Sequence, residues 1–233
     1  MSFIVKNTTF PGLLDLIAPH SCRSCKRTGE ALCDRCKNNI ITEFSNYCPN
    51  CKTYSPTDKC LKCKSLPPTF VIGSRSGLIG TLVHDFKYNS NRALVRPLAE
   101  IINSIIPQID GNITIVPLPT INRHIRERGL DHTLLIAKHL AKIRGSHYHT
   151  SPIIIRAQNT VQVGSDRKTR IHQASLAYSI NPKFTIDKNT TYLLFDDVWT
   201  TGASIKNATK ILRKAGAKKI IIVILAVSQI NQE

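Results

Sequence analysis

"YLLFDDVWTTGAS", residues 192–204, joins an apolar run to two adjacent aspartates and then to a turn of hydroxyl-bearing and small side chains. The apolar run predicts a buried strand over residues 191–195, and the residues from Ser204 onward predict a helix. Asp196 and Asp197 would then lie at the carboxyl edge of a sheet, where open α/β folds bind their ligands. The stretch therefore indicates a ligand site.

The turn between this strand and this helix has the composition of a phosphate site. Backbone N–H groups converge in such a turn, and the helix dipole adds positive potential. Two carboxylates would repel a ligand that was phosphate alone, so the ligand should also present a diol or a Mg²⁺ ion, as a phosphorylated ribose does. The alternative is a plain strand-to-helix turn whose hydroxyls only cap the helix. The residues of the predicted cradle are Thr200, Thr201, Gly202, Ala203 and Ser204.

Helices and strands alternate through the rest of the chain after residue 66. Helical spacing occurs at 77–88, 92–106, 131–145 and 204–216, and apolar runs at 112–119, 152–156, 190–195 and 218–227 predict strands. Because these strands are apolar on both faces and are separated by helices, the sequence predicts an α/β fold with a mainly parallel sheet. The prolines at 65–70 mark the predicted boundary between a segment 1–66 and a domain 67–233.

All eight cysteines lie between residues 22 and 63, as four C-x-x-C pairs separated by 7, 11 and 8 residues. Each pair places two thiolates on one knuckle, and two knuckles complete a tetrahedral zinc site. With sulfur at every position the zinc would be structural, so residues 1–66 are predicted to form a double zinc ribbon. The sequence leaves open whether the pairs combine in sequential or crossed order. The predicted ligands are Cys22, Cys25, Cys33, Cys36, Cys48, Cys51, Cys60 and Cys63.

The chain is strongly basic, with 32 Lys and Arg against 15 Asp and Glu and a net charge of +17. Two zinc sites with four thiolates each would lower this to about +13. Such an excess favours polyanionic partners (phosphates, nucleic acid or a membrane surface), the alternative being a solvated basic surface. Neither a signal-peptide pattern nor an apolar run of transmembrane length is present, so we expect a cytoplasmic protein without membrane insertion.

Residues 192–204 resemble the signature of type I phosphoribosyltransferases that bind 5-phosphoribosyl 1-pyrophosphate (PRPP). The cysteine-rich start, "DFKYNSNRALVRPLA" (85–99), "VPLP" (116–119), "RERGLDH" (126–132) and this signature, in that order, resemble the ComF family. The resemblance implies a double zinc ribbon followed by a type I phosphoribosyltransferase fold that binds PRPP with Mg²⁺. It gives Asp196 and Asp197 the ribose hydroxyls and a catalytic role, and Thr200 to Ser204 the 5′-phosphate.

The same resemblance places the pyrophosphate loop after the strand at 112–116. Pro117, Leu118, Pro119 and Thr120 would line the pyrophosphate, and Arg123, Arg126 and Arg128 could complement its charge. Family members carry Phe-Asn-Gln where this chain has Leu130-Asp131-His132, which predicts different contacts to a base or nucleic acid. Residues 156–173 are predicted to serve as a mobile flap that closes over bound PRPP, the alternative being a disordered connector.

Basic side chains concentrate in residues 121–172, which hold ten Lys and Arg against three acids. A polyanion would be held there through its phosphates, and the alternative is a solvated basic surface. The candidate contacts to nucleic acid are Arg123, Arg126, Arg128, Arg156, Arg167, Lys168 and Arg170.

Three functions are compatible with these patterns. The first is a protein that binds PRPP and handles incoming single-stranded DNA in natural transformation, with a helicase or uptake channel of the competence machinery as its partner by family analogy. The second is an active Mg²⁺-dependent phosphoribosyltransferase. The third is a protein in which the phosphoribosyl pocket serves only as a scaffold or as a regulatory ligand site. Aromatic residues make up only 6% of the chain, so DNA binding would depend on phosphates and fall steeply with salt.

Overall fold

The structure is a computed structural model that describes residues 20–89, 91–156 and 178–228. The strands are β1 (His20–Ser21), β2 (Thr28–Gly29), β3 (Thr69–Ser74), β4 (Ile113–Pro117), β5 (Tyr148–Thr150), β6 (Ile154–Arg156), β7 (Tyr178–Ile180), β8 (Thr191–Trp199) and β9 (Lys219–Val227). The helices are α1 (Asp34–Thr42), α2 (Leu78–Tyr88), α3 (Val95–Ile105), α4 (Asn122–Arg128), α5 (His132–Arg144) and α6 (Ala203–Lys214), with a 3₁₀ turn at Arg92–Leu94 before α3. None of the helices in the described ranges is long and apolar enough to span a membrane.

A five-stranded sheet in the order β3-β9-β8-β4-β5 forms the centre of the molecule, and all four of its strand pairs are parallel. The predicted α/β class with a mainly parallel sheet is confirmed. The two edge strands, β3 and β5, were not predicted from the sequence. Residues 152–156 were predicted as a strand, and their part β6 forms a separate antiparallel ribbon with β7 instead of joining this sheet.

Side chains of the central strand β8 alternate between two buried cores, as the two-residue period of a strand requires. Leu193 and Phe195 belong to the core that contains the buried residues of α2, α3 and α5. Tyr192 and Leu194 belong to the core on the opposite face, which contains α6. Helix α6 packs there through Ile205, Ala208, Thr209 and Leu212, the spacing of an amphipathic helix.

Strand β8 is longer than the predicted 191–195, because β9 continues to pair with it after β4 has left. The last β4–β8 pair is Pro117 with Phe195, whereas β8 and β9 remain paired as far as Trp199 and Val227. Asp196 and Asp197 therefore lie inside a strand that is paired on one side only. Their other side faces the opening that β4 leaves.

The cysteine-rich segment packs directly against the α/β unit. Cys22 and Cys36 are buried in the same core as α2 and α3. The Asn46 side chain donates to the Thr69 carbonyl at 2.9 Å and accepts from the Val71 N–H at 3.1 Å, so it pairs with the outer edge of β3. The boundary at residue 66 stays a prediction, and these contacts cross it.

Candidate functional site

A cavity of about 240 Å³ opens at the carboxyl ends of β4 and β8. It brings together the two predicted aspartates, Ser204, the loop after β4 and Arg156. Pro117 is not among its lining residues, since it is the last residue of β4 and pairs with Phe195. The cavity is lined by Lys87, Leu118, Pro119, Thr120, Ile121, Arg156, Tyr178, Asp196, Asp197, Val198 and Ser204.

A smaller cavity of about 30 Å³ adjoins the first and is formed by the turn that enters α6. Its walls include all five residues of the predicted phosphate cradle, 200–204, together with Asp196. Gly202 has a φ of 74°, and a Cβ atom there would overlap the buried indole of Trp199. The turn thus requires glycine both for its left-handed backbone and for the close approach of Trp199.

The two aspartates differ in their surroundings. Asp197 forms an ion pair with Lys87 of α2, whose Nζ lies 2.7 Å from Asp197 Oδ2. Asp196 Oδ1 accepts the Asp197 backbone N–H at 2.8 Å. Burial, reinforced by the negative charge of Asp197, raises the pKa of Asp196 to about 8, although that N–H, Lys87 and Arg156 oppose the shift. The empty site therefore disfavours the charged form of Asp196, and a ligand with a cation or donor hydroxyls would favour that form.

The loop after β4 is held by the start of α5. Asp131 caps this helix by accepting the Leu134 N–H at 3.2 Å, and it also accepts the Thr120 hydroxyl at 3.2 Å. His132 is buried, and its Nε2 lies 2.7 Å from the Phe86 carbonyl oxygen at the end of α2. Residues 131 and 132, where the chain departs from the ComF pattern, thus contact the protein's own backbone.

Arg156 lies in the cavity, although the sequence placed it among the candidate contacts to nucleic acid. Its guanidinium donates to the Pro119 carbonyl at 3.2 Å and to the Tyr178 hydroxyl at 3.3 Å. It also lies 5.2 Å from the centre of the Tyr178 ring. These contacts join the β6–β7 ribbon to the loop that follows β4.

Of the other basic candidates, the two whose side chains the structure describes, Arg123 and Arg126, do not line the cavity. Arg123 pairs with Glu127 at 2.7 Å on the exposed side of α4, and Arg126 is exposed on the same helix. The side chain of Arg128 lies outside what the structure describes. So do Arg167, Lys168 and Arg170, together with most of the segment 156–173.

Among the lining residues that were missing from the predicted site, Lys87 carries a basic side chain and Tyr178 a phenolic one. Lys87 stands in the "DFKY" stretch that carries the family resemblance, but the sequence alone does not show whether a lysine on this helix faces the site or the surface. Tyr178 lies far along the chain from its partner Arg156, and no sequence signal connects the two.

The eight cysteines form two groups in sequential order, Cys22 to Cys36 and Cys48 to Cys63, and within each group the four sulfur atoms lie within 4.8 Å of one another. Individual Sγ–Sγ distances are 3.7 Å between Cys25 and Cys33 and 3.5 Å between Cys51 and Cys60. Four sulfurs about 2.3 Å from a central zinc ion would be about 3.8 Å apart, so both groups fit the ion. The pairing that the sequence left open is therefore sequential.

Three of the knuckles end in a lysine with a left-handed backbone. Lys26, Lys52 and Lys64 have φ values of 62°, 60° and 46°. Each donates its N–H to the carbonyl of the first cysteine of its pair, at 2.9, 2.7 and 3.1 Å. These bonds close the turns that point both thiols of a pair toward one ion.

No protein-family model and no curated protein matches this sequence. Among solved structures, the chain is similar to a hypoxanthine phosphoribosyltransferase from Staphylococcus aureus, with 13% identity and a TM-score of 0.34. The match covers 57% of this chain and 60% of that one.

Proposed function

We propose that this chain is a ComF-type protein with a phosphoribosyltransferase fold, and that it binds PRPP with Mg²⁺ at residues 196–204. The observation that carries the proposal is the adjacency of two cavities at one edge of the parallel sheet. One contains the aspartate pair, and the other is enclosed by the turn of residues 200–204.

Each part of the ligand has a matching part of the site. The 5′-phosphate would lie in the turn, against its backbone N–H groups and the hydroxyls of Thr201 and Ser204. The ribose hydroxyls would be held by Asp196 and Asp197. The pyrophosphate would lie along the loop of residues 118–120, and bound Mg²⁺ would neutralise part of its charge.

Calorimetric titration with Mg·PRPP tests this assignment. The wild-type protein should bind the ligand, and the double variant Asp196→Asn/Asp197→Asn should not, because each asparagine removes a charged acceptor for a ribose hydroxyl. Asp110→Asn, in an exposed loop, is the matched control and should bind normally. Unchanged affinity in the double variant would overturn the assignment.

For the cellular role we propose the handling of incoming single-stranded DNA in natural transformation, with a helicase or uptake channel as partner. The net charge of +17 supports a polyanionic partner, and Tyr54, 60% exposed between Cys51 and Cys60 of the second cysteine group, offers an aromatic face to a base. The affinity for an oligonucleotide should fall steeply with salt, and Arg126→Gln should flatten that dependence by about one counterion. An affinity for the oligonucleotide that does not change with salt concentration, or normal transformation in a deletion strain, would contradict this role.

Turnover of PRPP is the second candidate function. The aspartate pair would fix the ribose while pyrophosphate leaves C1′ and a nitrogen nucleophile attacks, a reaction that depends on positioning and electrostatics. Release of pyrophosphate on addition of nucleobases would support an enzyme. Binding of PRPP without release would leave the binding role alone.

A further inference from the structure

Lys87 forms an ion pair with one of the two carboxylates that the proposed ribose site needs. Its Nζ lies 2.7 Å from Asp197 Oδ2, and the side chains of Lys87 and Asp197 are only 15% and 18% exposed. Lys87 also lines the larger cavity, as does the loop after β4. In the ligand-free protein, Asp197 is therefore already paired with a cation.

The two residues that precede Lys87 in the helix are held by contacts with other parts of the protein. Phe86, the preceding residue, has its carbonyl oxygen 2.7 Å from Nε2 of the buried His132, and its ring packs edge-on against that imidazole at 4.4 Å. Asp85 forms a 2.9 Å ion pair with Arg23 of the first zinc knuckle. Movement of the Lys87 ammonium must therefore come from rotation of its own four-carbon side chain.

Arg156, the other basic residue that lines the cavity, is held differently. The Arg156 guanidinium is engaged by the Pro119 carbonyl and the Tyr178 hydroxyl and lies over the Tyr178 ring. A lysine ammonium is a compact charge on a flexible stem, whereas this arginine is held in a planar arrangement. Of these two cations, Lys87 is the one able to change partners.

We propose that Lys87 is a counter-ion that moves: it pairs with Asp197 in the empty site and transfers to the pyrophosphate of the incoming ligand, which releases Asp197 to the ribose hydroxyls. The inference rests on the proposed function and names the residue that selects the ligand. A ligand with a pyrophosphate offers Lys87 a new anionic partner. Ribose 5-phosphate has the same diol and 5′-phosphate but offers no such partner, so it must break the ion pair without replacement.

Lys87 should therefore set the preference of the site for PRPP over ribose 5-phosphate. The test compares dissociation constants of Mg·PRPP and ribose 5-phosphate in the wild type and in Lys87→Met, by calorimetry on the zinc-loaded full chain. Removal of the lysine should weaken PRPP binding by about 10- to 100-fold, the effect of one charge-assisted contact. It should not weaken ribose 5-phosphate, because Asp197 is then free. The preference for PRPP should fall at least about tenfold.

Matched variants separate this role from a structural one. Lys87→Arg keeps the charge and should keep most of the preference, while Lys138→Met, on the exposed side of α5, should leave it unchanged. Equal weakening of both ligands in Lys87→Met, or an unchanged preference, would overturn the inference. A wild-type protein that binds neither ligand would instead overturn the proposed function, and the inference with it.

Discussion

Replacement of Asp196 by asparagine should stabilise the ligand-free protein while it abolishes binding of Mg·PRPP. Burial, together with the charge of Asp197, raises the pKa of Asp196 from its ordinary 3.8 to about 8. Asparagine has nearly the same shape and stays neutral at every pH. It therefore removes the free-energy cost of holding this charge in the folded protein, and it also removes an acceptor for the ligand.

The size of the gain follows from this pKa and from the openness of the cavity. A difference of about 4 pH units corresponds to a ceiling of about 6 kcal/mol. Asp196 is only partly buried and borders the cavity of about 240 Å³, so water screens much of this cost. We expect a gain of about 2 kcal/mol at high pH, or about 4–8 °C in the unfolding midpoint for a chain of this length.

The raised pKa also fixes the direction of the pH dependence. Between pH 3.8 and about 8 the unfolded chain has released a proton that folded Asp196 retains, so wild-type stability falls as pH rises through this window. The advantage of Asp196→Asn should be smallest at the acid end of this window and should grow as pH rises through it. Thermal unfolding of zinc-loaded protein, followed by circular dichroism, measures it, with Asp110→Asn as the control that gains nothing. An advantage independent of pH, or a variant less stable than wild type at high pH, would refute the reasoning.

Further predictions concern the two cysteine groups, the turn at residues 200–204 and the edge of β3. Metal analysis should find two zinc ions per chain and about one in Cys51→Ser, whereas eight free thiols in metal-free protein would contradict the sites. Gly202→Ala should destabilise the fold by about 2–4 kcal/mol in urea unfolding, because the added Cβ overlaps Trp199 and the backbone is left-handed. A variant as stable as the wild type would count against this geometry. Asn46→Ala should lower the free energy of unfolding by about 2–3 kcal/mol in the same assay, because the Val71 N–H and the Thr69 carbonyl lose their partner. A loss below about 0.5 kcal/mol would show that these bonds contribute little.

The parts of the fold that could be predicted are those encoded by local pattern. Apolar runs with helices between them predict a parallel sheet, and the structure confirms it. Four C-x-x-C pairs predict two clusters of thiols, and these are present. The turn at 200–204 could be read as a cradle because glycine and hydroxyl side chains follow directly on an apolar strand.

The remaining features depend on contacts between distant parts of the chain. The end of β8 at Trp199 is set by pairing with β9, which continues beyond the charged residues that suggested an earlier end. The place of Lys87 depends on how α2 packs against β8, and that of Arg156 on a ribbon formed with Tyr178. Charge alone placed Arg156 with the nucleic-acid contacts, since a sequence shows that a residue is basic but not which surface it faces.

The most direct test of a PRPP site at residues 196–204 uses Trp199, the only tryptophan in the chain. Its indole is buried against Gly202 of the turn at residues 200–204, so a phosphate bound in this turn would change its surroundings. Titration with Mg·PRPP should produce a saturable change in tryptophan fluorescence that is absent in Asp196→Asn/Asp197→Asn. Unchanged fluorescence together with no heat of binding in calorimetry would contradict the account.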